Sequence, residues 1–184
     1  MRAPAESLRL RGRAAAGGRK LASVTTHQSD SAVQREAEIA IIDALAAKLG
    51  VVLVGGGTLS LSGGGRIQLD ARSEDGKFAV EAYARQGRLK GGQLKKIAQD
   101  VLKLALLRRE PDHADVRPII VFASDEARSS ITGWVKRAAD VFGVELHVVD
   151  IDPDLRATIV ATQDQQKMVN VALPAAADDL TIEE

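Results

Sequence analysis

Two acids, Asp70 and Glu81, are the residues whose types and spacing suit chemistry best. They lie in two strand-forming runs, Arg66-Ile67-Gln68-Leu69-Asp70 and Phe78-Ala79-Val80-Glu81-Ala82-Tyr83, with Asp75-Gly76 between them. Asp-Gly is the dipeptide that best fits a two-residue type I′ turn, in which both central residues take positive φ. A turn centred there sets Asp70 directly opposite Glu81. Opposed residues share a face, with Cβ atoms roughly 4.5–5.5 Å apart. Two carboxylates that close repel each other unless a positive charge sits between them. A divalent cation meets that need. Magnesium takes oxygen ligands and keeps several waters, so two carboxylates plus a phosphate oxygen suffice. Such an ion stabilises a phosphodiester under attack.

The same register sets Gln68 opposite Tyr83 on the carboxylate face. Ile67, Leu69, Val80, Ala82 and Ala84 take the other face, which should pack on helices. The competing reading makes Asp70 and Glu81 solvent-facing acids paired with Arg72, Arg85 or Lys77. The chain has no cysteine, and its three histidines, His27, His113 and His147, are scattered. Thiolate sites, disulfides and a zinc set are thereby disfavoured. Directly after the two acids come Arg85, Arg88, Lys90, Lys95 and Lys96, and Lys103, Arg108 and Arg109 continue the basic run. Such groups suit phosphate contacts, for which Arg85, Arg88, Lys90 and Lys103 are the candidates; a solvated helix face is the alternative. Aromatic residues are few, which disfavours base stacking as a means of binding single strands. Trp134 falls among Ile131, Val135 and Ala138 and reads as core. Ser124-Asp125 reads as a helix cap rather than a nucleophile pair.

These residues need elements to position them. A helix is expected over residues 31–49, with Ser29 or Asp30 as N-cap, Gly50 as the stop and a core stripe of Val33, Ala37, Ala40, Ile41, Ala44 and Leu45. Residues 51–54 read as a short strand ended by Gly55-Gly56-Gly57, and residues 58–62 as a further strand or its continuation. Gly63-Gly64-Gly65 precedes the hairpin. The two glycine clusters read as hairpin turns, since no GxxxxGK[ST] pattern is present. A helix over 92–108, a buried strand over 118–123, a helix over 126–142 and a strand over 144–149 follow. A last helix over 155–171 is the preferred reading of an ambiguous segment. Helices alternating with strands after a meander imply an α/β fold, a mixed sheet with helices on both faces.

The ends differ from this middle. Residues 1–28 form a basic N-terminal arm, read as disordered, with Arg2, Arg9, Arg11, Arg13, Arg19 and Lys20 among residues 1–20 against one acid, Glu6. Residues 29–171 hold the domain. Residues 172–184 carry Asp178, Asp179, Glu183 and Glu184 and read as a disordered acidic tail. Lysine plus arginine and aspartate plus glutamate are 25 each, so the partner must be judged from local charge, not from the total. No continuous apolar segment follows the first arginines and no run reaches transmembrane length, so a cytoplasmic location with no membrane partner is expected. The alanine- and arginine-rich composition suggests a bacterial genome of high GC content.

Helix, three-stranded meander bearing Asp70 then Glu81, helix and strand resembles the PD-(D/E)xK nuclease superfamily, over about residues 32–150. The resemblance implies a restriction-endonuclease-like αβββαβ core with an extra C-terminal helix and strand. It implies a hydrolase that cuts DNA phosphodiester bonds with Mg²⁺ or Mn²⁺ held by Asp70 and Glu81. Glu38 matches the acid that the family often places on the first helix, and Glu36 competes with it. The family's lysine, two residues after the Glu, is here Tyr83, which carries no positive charge at neutral pH. Some members place that lysine on the next helix, where Lys95 and Lys96 lie, with Lys90 just before it. The alternative function is a non-catalytic relative that binds nucleic acid or a protein. A homodimer would let such a nuclease cut two strands, and no dimer face is marked in the sequence.

Overall fold

The structure, a computed structural model, describes residues 20–172, and side-chain surroundings over residues 32–166. Most of the expected basic arm and acidic tail lies outside the described residues. The elements are α1 Lys20–Leu49, β1 Leu53–Ser60, β2 Arg66–Ser73, β3 Phe78–Tyr83, α2 Gly91–Leu107, β4 Arg117–Phe122, α3 Asp125–Ser129, α4 Gly133–Phe142, β5 Glu145–Val148 and α5 Pro153–Ala172. Strand order is β1-β2-β3-β4-β5. The β1/β2 and β2/β3 pairs are antiparallel; β3/β4 and β4/β5 are parallel. The protein is therefore α/β, an open mixed sheet flanked by helices.

Two apolar clusters show the layers. Ile97, Val101 and Leu104 of α2 and Val135 and Ala139 of α4 pack with Ile120 and Phe122 on one face of the sheet. Ala37, Ile41 and Leu45 of α1 and Ile159 of α5 pack with Val80, Ile119 and Val121 on the other. Alternate residues of β3 and β4 thus serve opposite cores, as the pleat requires. With both faces covered, these parallel strands are buried along nearly their whole length.

The hairpin keeps the expected register, with Ala71 opposite Val80 and Arg72 opposite Ala79. Its turn differs. Gly76 N–H bonds Ser73 O at 3.0 Å, so Glu74 and Asp75 are the central residues. Only Gly76 has positive φ, at 71°, and no non-glycine residue does. Asp75 instead accepts the Lys77 N–H and the Ser73 hydroxyl, and Ser73 Oγ accepts the Phe78 N–H. The wider loop has the same centre as the two-residue turn, which is why the register survives.

The first glycine cluster is not a turn. Gly55-Gly56-Gly57 lies inside β1, where β1 and β2 change faces together. Leu53 and Ala71 belong to the α1/α5 side, whereas Leu59, Ile67 and Leu69 belong to the α2/α4 side. A regular strand keeps residues i and i+2 on one face. Here Gly57 has φ 62°, and a Cβ on Gly56 would lie 2.6 Å from Leu69 Cβ and Leu69 O. Glycine permits both the turn of the backbone and the close approach. Ile67 and Leu69 therefore do not share a core with Val80 and Ala82, and Gln68 pairs with Thr58 of β1.

Other expectations also change. α1 runs through Ser29 and Asp30, so neither caps it, while Gly50 does follow it at φ 68°. The single helix expected over 126–142 is two. Ser124 caps α3, accepting the Ala127 N–H, and the break at Ser130–Thr132 restarts the chain at Gly133, φ 60°. Ser130 Oγ bonds Ala127 O and accepts the Leu89 N–H, uses that favour a helix end. The restart changes the helical phase, and Trp134, expected in the core, is 73% exposed.

Candidate functional site

Asp70 lies at the end of the β2/β3 ladder. Its Oδ2 accepts the Ala82 N–H at 2.8 Å, so a side-chain oxygen serves a β3 amide beyond the last paired residues. Glu81 is 2% exposed. It alternates with Val80 and Ala82 and shares the strand face of Ala79 and Tyr83, beneath α2. The carboxylate face is thus roofed by a helix rather than open to solvent.

α2 supplies the counter-charges. Lys103 Nζ lies 2.8 Å from Glu81 Oε1 and 2.9 Å from Asp100 Oδ1, and donates to Gln68 O at 3.0 Å. Lys103 and Glu81 thus form a buried ion pair. Tyr83 donates its hydroxyl to Asp100 Oδ2. Lys96 Nζ reaches the same Oδ2 at 3.2 Å and Tyr83 Oη at 3.3 Å, and lies 4.5 Å from the Tyr83 ring centroid. The Tyr83 ring in turn stacks on Phe122, 5.5 Å between centroids. Glu81, Lys103, Asp100, Tyr83 and Lys96 form one polar network under and beside α2.

Electrostatics follow from burial. Loss of solvent pushes the Glu81 carboxyl up to about 7; Lys103 opposes this, and the charges of Asp70 and Asp100 add to it. Burial and then Asp100 push the Tyr83 hydroxyl far above its ordinary range, so it keeps its proton. Burial by itself would raise Asp100, but the Tyr83 hydroxyl, Lys103 and Lys96 outweigh it and hold the carboxyl below its ordinary value. Burial by itself would lower Lys103, but Glu81 and Asp100 outweigh it and keep the ammonium charged.

A cavity of about 330 Å³ adjoins this network, lined by Glu38, Asp70, Tyr83, Arg85, Gln93 and Lys96 among others. Residues of α1 and α5 form part of its wall. Glu81 does not line it, although its neighbours Ala82 and Tyr83 do. Glu38 is half-buried there and its Oε1 accepts from Gln34 at 3.1 Å, whereas Glu36 is exposed and outside the lining. Lys95 is exposed and lines no part of it, and Arg88 and Lys90 are exposed in and beside the loop before α2. The structure therefore gathers Glu38, Asp70, Arg85 and Lys96 at one cavity and joins Glu81 to Lys103 behind them. Among the described residues, no three Asp, Glu or His side chains converge as a ready metal cage.

Sequence reasoning missed Asp100 and gave Lys103 to phosphate. Lys96, Asp100 and Lys103 are spaced i, i+4 and i+7, which places three charges in a line on one face of α2. That line flanks the apolar stripe of Ile97, Val101 and Leu104, so its charges must lie at the boundary of the core. This signal was available in the sequence.

Comparison with protein families, with curated proteins and with solved structures finds no match. Among the described residues, no helix is long and apolar enough to cross a membrane.

Proposed function

We propose that this domain is a metal-dependent nuclease of restriction-endonuclease-like fold that hydrolyses DNA phosphodiester bonds. The observation that carries the reading is a carboxylate kept where it is costly. Glu81 is almost wholly buried, and although Lys103 lies 2.8 Å from its Oε1, burial and two further carboxylates, Asp70 and Asp100, still push its carboxyl up to about 7. A buried acid with so perturbed a carboxyl destabilises a fold, and such groups cluster at functional sites. The order helix, meander, helix and strand, in a mixed sheet flanked by helices, supports this reading.

The donor chemistry fits a hard divalent cation. Asp70 would hold it at the cavity and Glu81, behind the cavity wall, would exchange its Lys103 partner for the ion, with waters completing the shell. The ion would supply Lewis-acid stabilisation of charge on the phosphodiester. Glu38 adds an acid at the cavity. Arg85 and Lys96 bring positive charge to the same cavity, which suits a phosphate. Tyr83 cannot replace an ammonium; Lys96 would bring one to the cavity from α2, while Lys103 neutralises Glu81 behind it.

The test is incubation of end-labelled DNA with the purified protein in Mg²⁺, Mn²⁺ or EDTA. Cleavage with either cation, its loss in EDTA and its loss in Glu81→Gln support the reading. Cleavage that survives both EDTA and the substitution overturns it.

A further inference from the structure

Two lysines of α2 meet the same acid, and their surroundings divide them. An ammonium has three N–H donors and no acceptor. Lys103 Nζ has three oxygens around it: Glu81 Oε1, Asp100 Oδ1 and Gln68 O, all within 3.0 Å. Its side chain is 22% exposed. It is fully engaged inside the protein. Lys96 Nζ has two, Asp100 Oδ2 and Tyr83 Oη, at 3.2 and 3.3 Å. Its side chain is 58% exposed and lines the cavity that holds Asp70. Its third donor has no acceptor among the described residues.

Arg85 is a second, independent pointer. Its side chain lines the same cavity, and its buried Nε has no hydrogen-bond partner among the described residues. Two cations thus border one space beside a carboxylate, and Lys96 keeps a donor free to enter it. The negative charge of a phosphate suits both side chains where they line the cavity.

We propose that a backbone phosphate of the nucleic acid is received between Lys96 and Arg85, and that Asp100, locked by the Tyr83 hydroxyl, is the positioning residue that holds Lys96 there. Lys103 serves Glu81 as an internal counter-ion and touches no substrate. This inference rests on the nuclease reading above. It gives Tyr83 a purpose at the position where the resemblance calls for lysine. The ring lies under the Lys96 ammonium, and the hydroxyl fixes the acid that anchors it.

The test is binding of fluorescein-labelled duplex DNA, read by anisotropy in EDTA over a series of salt concentrations. On duplex DNA, removing one cation that neutralises a phosphate lowers the slope of log affinity against log salt by about 0.9. Lys96→Met and Arg85→Met are each expected to lower it by about that amount, and Lys96→Arg to restore it. Lys103→Met, checked for folding by circular dichroism, should keep the wild-type slope. Tyr83→Phe keeps the ring and the net charge; it should weaken binding by roughly threefold, the size of one ordinary hydrogen bond, with the slope unchanged. A wild-type slope in Lys96→Met, or full-affinity binding by Tyr83→Phe, overturns the assignment. Lys96 is surface-exposed, so its two variants decide the matter even if Lys103→Met fails to fold. Wild-type protein that binds no DNA overturns the nuclease reading itself; DNA binding that ignores Lys96 overturns only this inference.

Discussion

Glu81→Gln should make the protein more stable, by an amount set by pH. The carboxyl titrates at about 7 in the folded chain against 4.5 as an ordinary glutamate. Each unit of such a shift corresponds to about 1.4 kcal/mol, so the difference amounts to about 3 kcal/mol. The folded state holds the proton more tightly than the unfolded one. Stability from this group is therefore complete below about pH 4.5 and is lost as pH rises through about 7. Glutamine resembles the protonated acid and has nothing to lose. Lys103 keeps Asp100 and Gln68 as partners in the variant. Urea unfolding in EDTA, from about pH 4.5 to about pH 8.5, reads the difference directly, because other titrating groups are common to both proteins. The gap between variant and wild type should open with pH toward about 3 kcal/mol. Magnesium at the alkaline end should restore part of the wild-type loss and do nothing for the variant. A gap that does not change with pH, or a variant less stable than wild type in alkali, refutes the reasoning; the Lys103 pair would then outweigh the burial.

Gly56→Ala should destabilise by about 1–3 kcal/mol, because the new Cβ would lie 2.6 Å from Leu69; a thermal melt within error of wild type contradicts the close crossing of β1 and β2. Glu38→Gln should lower Mg²⁺-supported cleavage by roughly 10–100-fold, with Glu36→Gln near wild type; the reverse order would move the helix acid to the exposed face. Trp134→Ala should change stability by no more than about 0.5 kcal/mol, since the ring is 73% exposed; a core-sized loss in urea unfolding would contradict the break between α3 and α4. Glu110→Ala removes the acceptor of both the Ser62 N–H, at 2.7 Å, and the Ser62 hydroxyl, at 3.0 Å, and should cost about 1.5–3 kcal/mol by the same measurement.

Register, element order and the α1 stripe could be read from the sequence because each depends on local pattern. Ala71 opposite Val80 follows from where the loop is centred, and the change from a two-residue turn to a wider one leaves that centre in place. Facing was harder. It assumes a regular pleat, and the glycines of β1 break that assumption between Leu69 and Ala71. The result is that Asp70 reaches into a cavity while Glu81 lies under α2, and the β2/β3 ladder ends at Ala71 and Val80, one residue short of pairing the two acids. Trp134 was misplaced for a related reason: the 3.6-residue period carries across a segment only if the helix is continuous, and Ser130–Thr132 end it. Lys103 shows the limit of charge counting. A lysine in a basic run reads as a phosphate contact until the buried acid beneath it is known, and Glu81 is buried by a helix whose docking no local pattern encodes.

The central claim is that Asp70 and Glu81 serve a cation that drives phosphodiester cleavage. Loss of supercoiled plasmid in Mg²⁺, measured side by side for wild type and Asp70→Ala, tests it most directly. Wild type should convert the plasmid to nicked or linear forms in Mg²⁺ and not in EDTA, and Asp70→Ala should leave it at the EDTA level while retaining DNA binding. Intact plasmid with folded wild-type protein in both Mg²⁺ and Mn²⁺, or equal conversion by Asp70→Ala, would contradict the account.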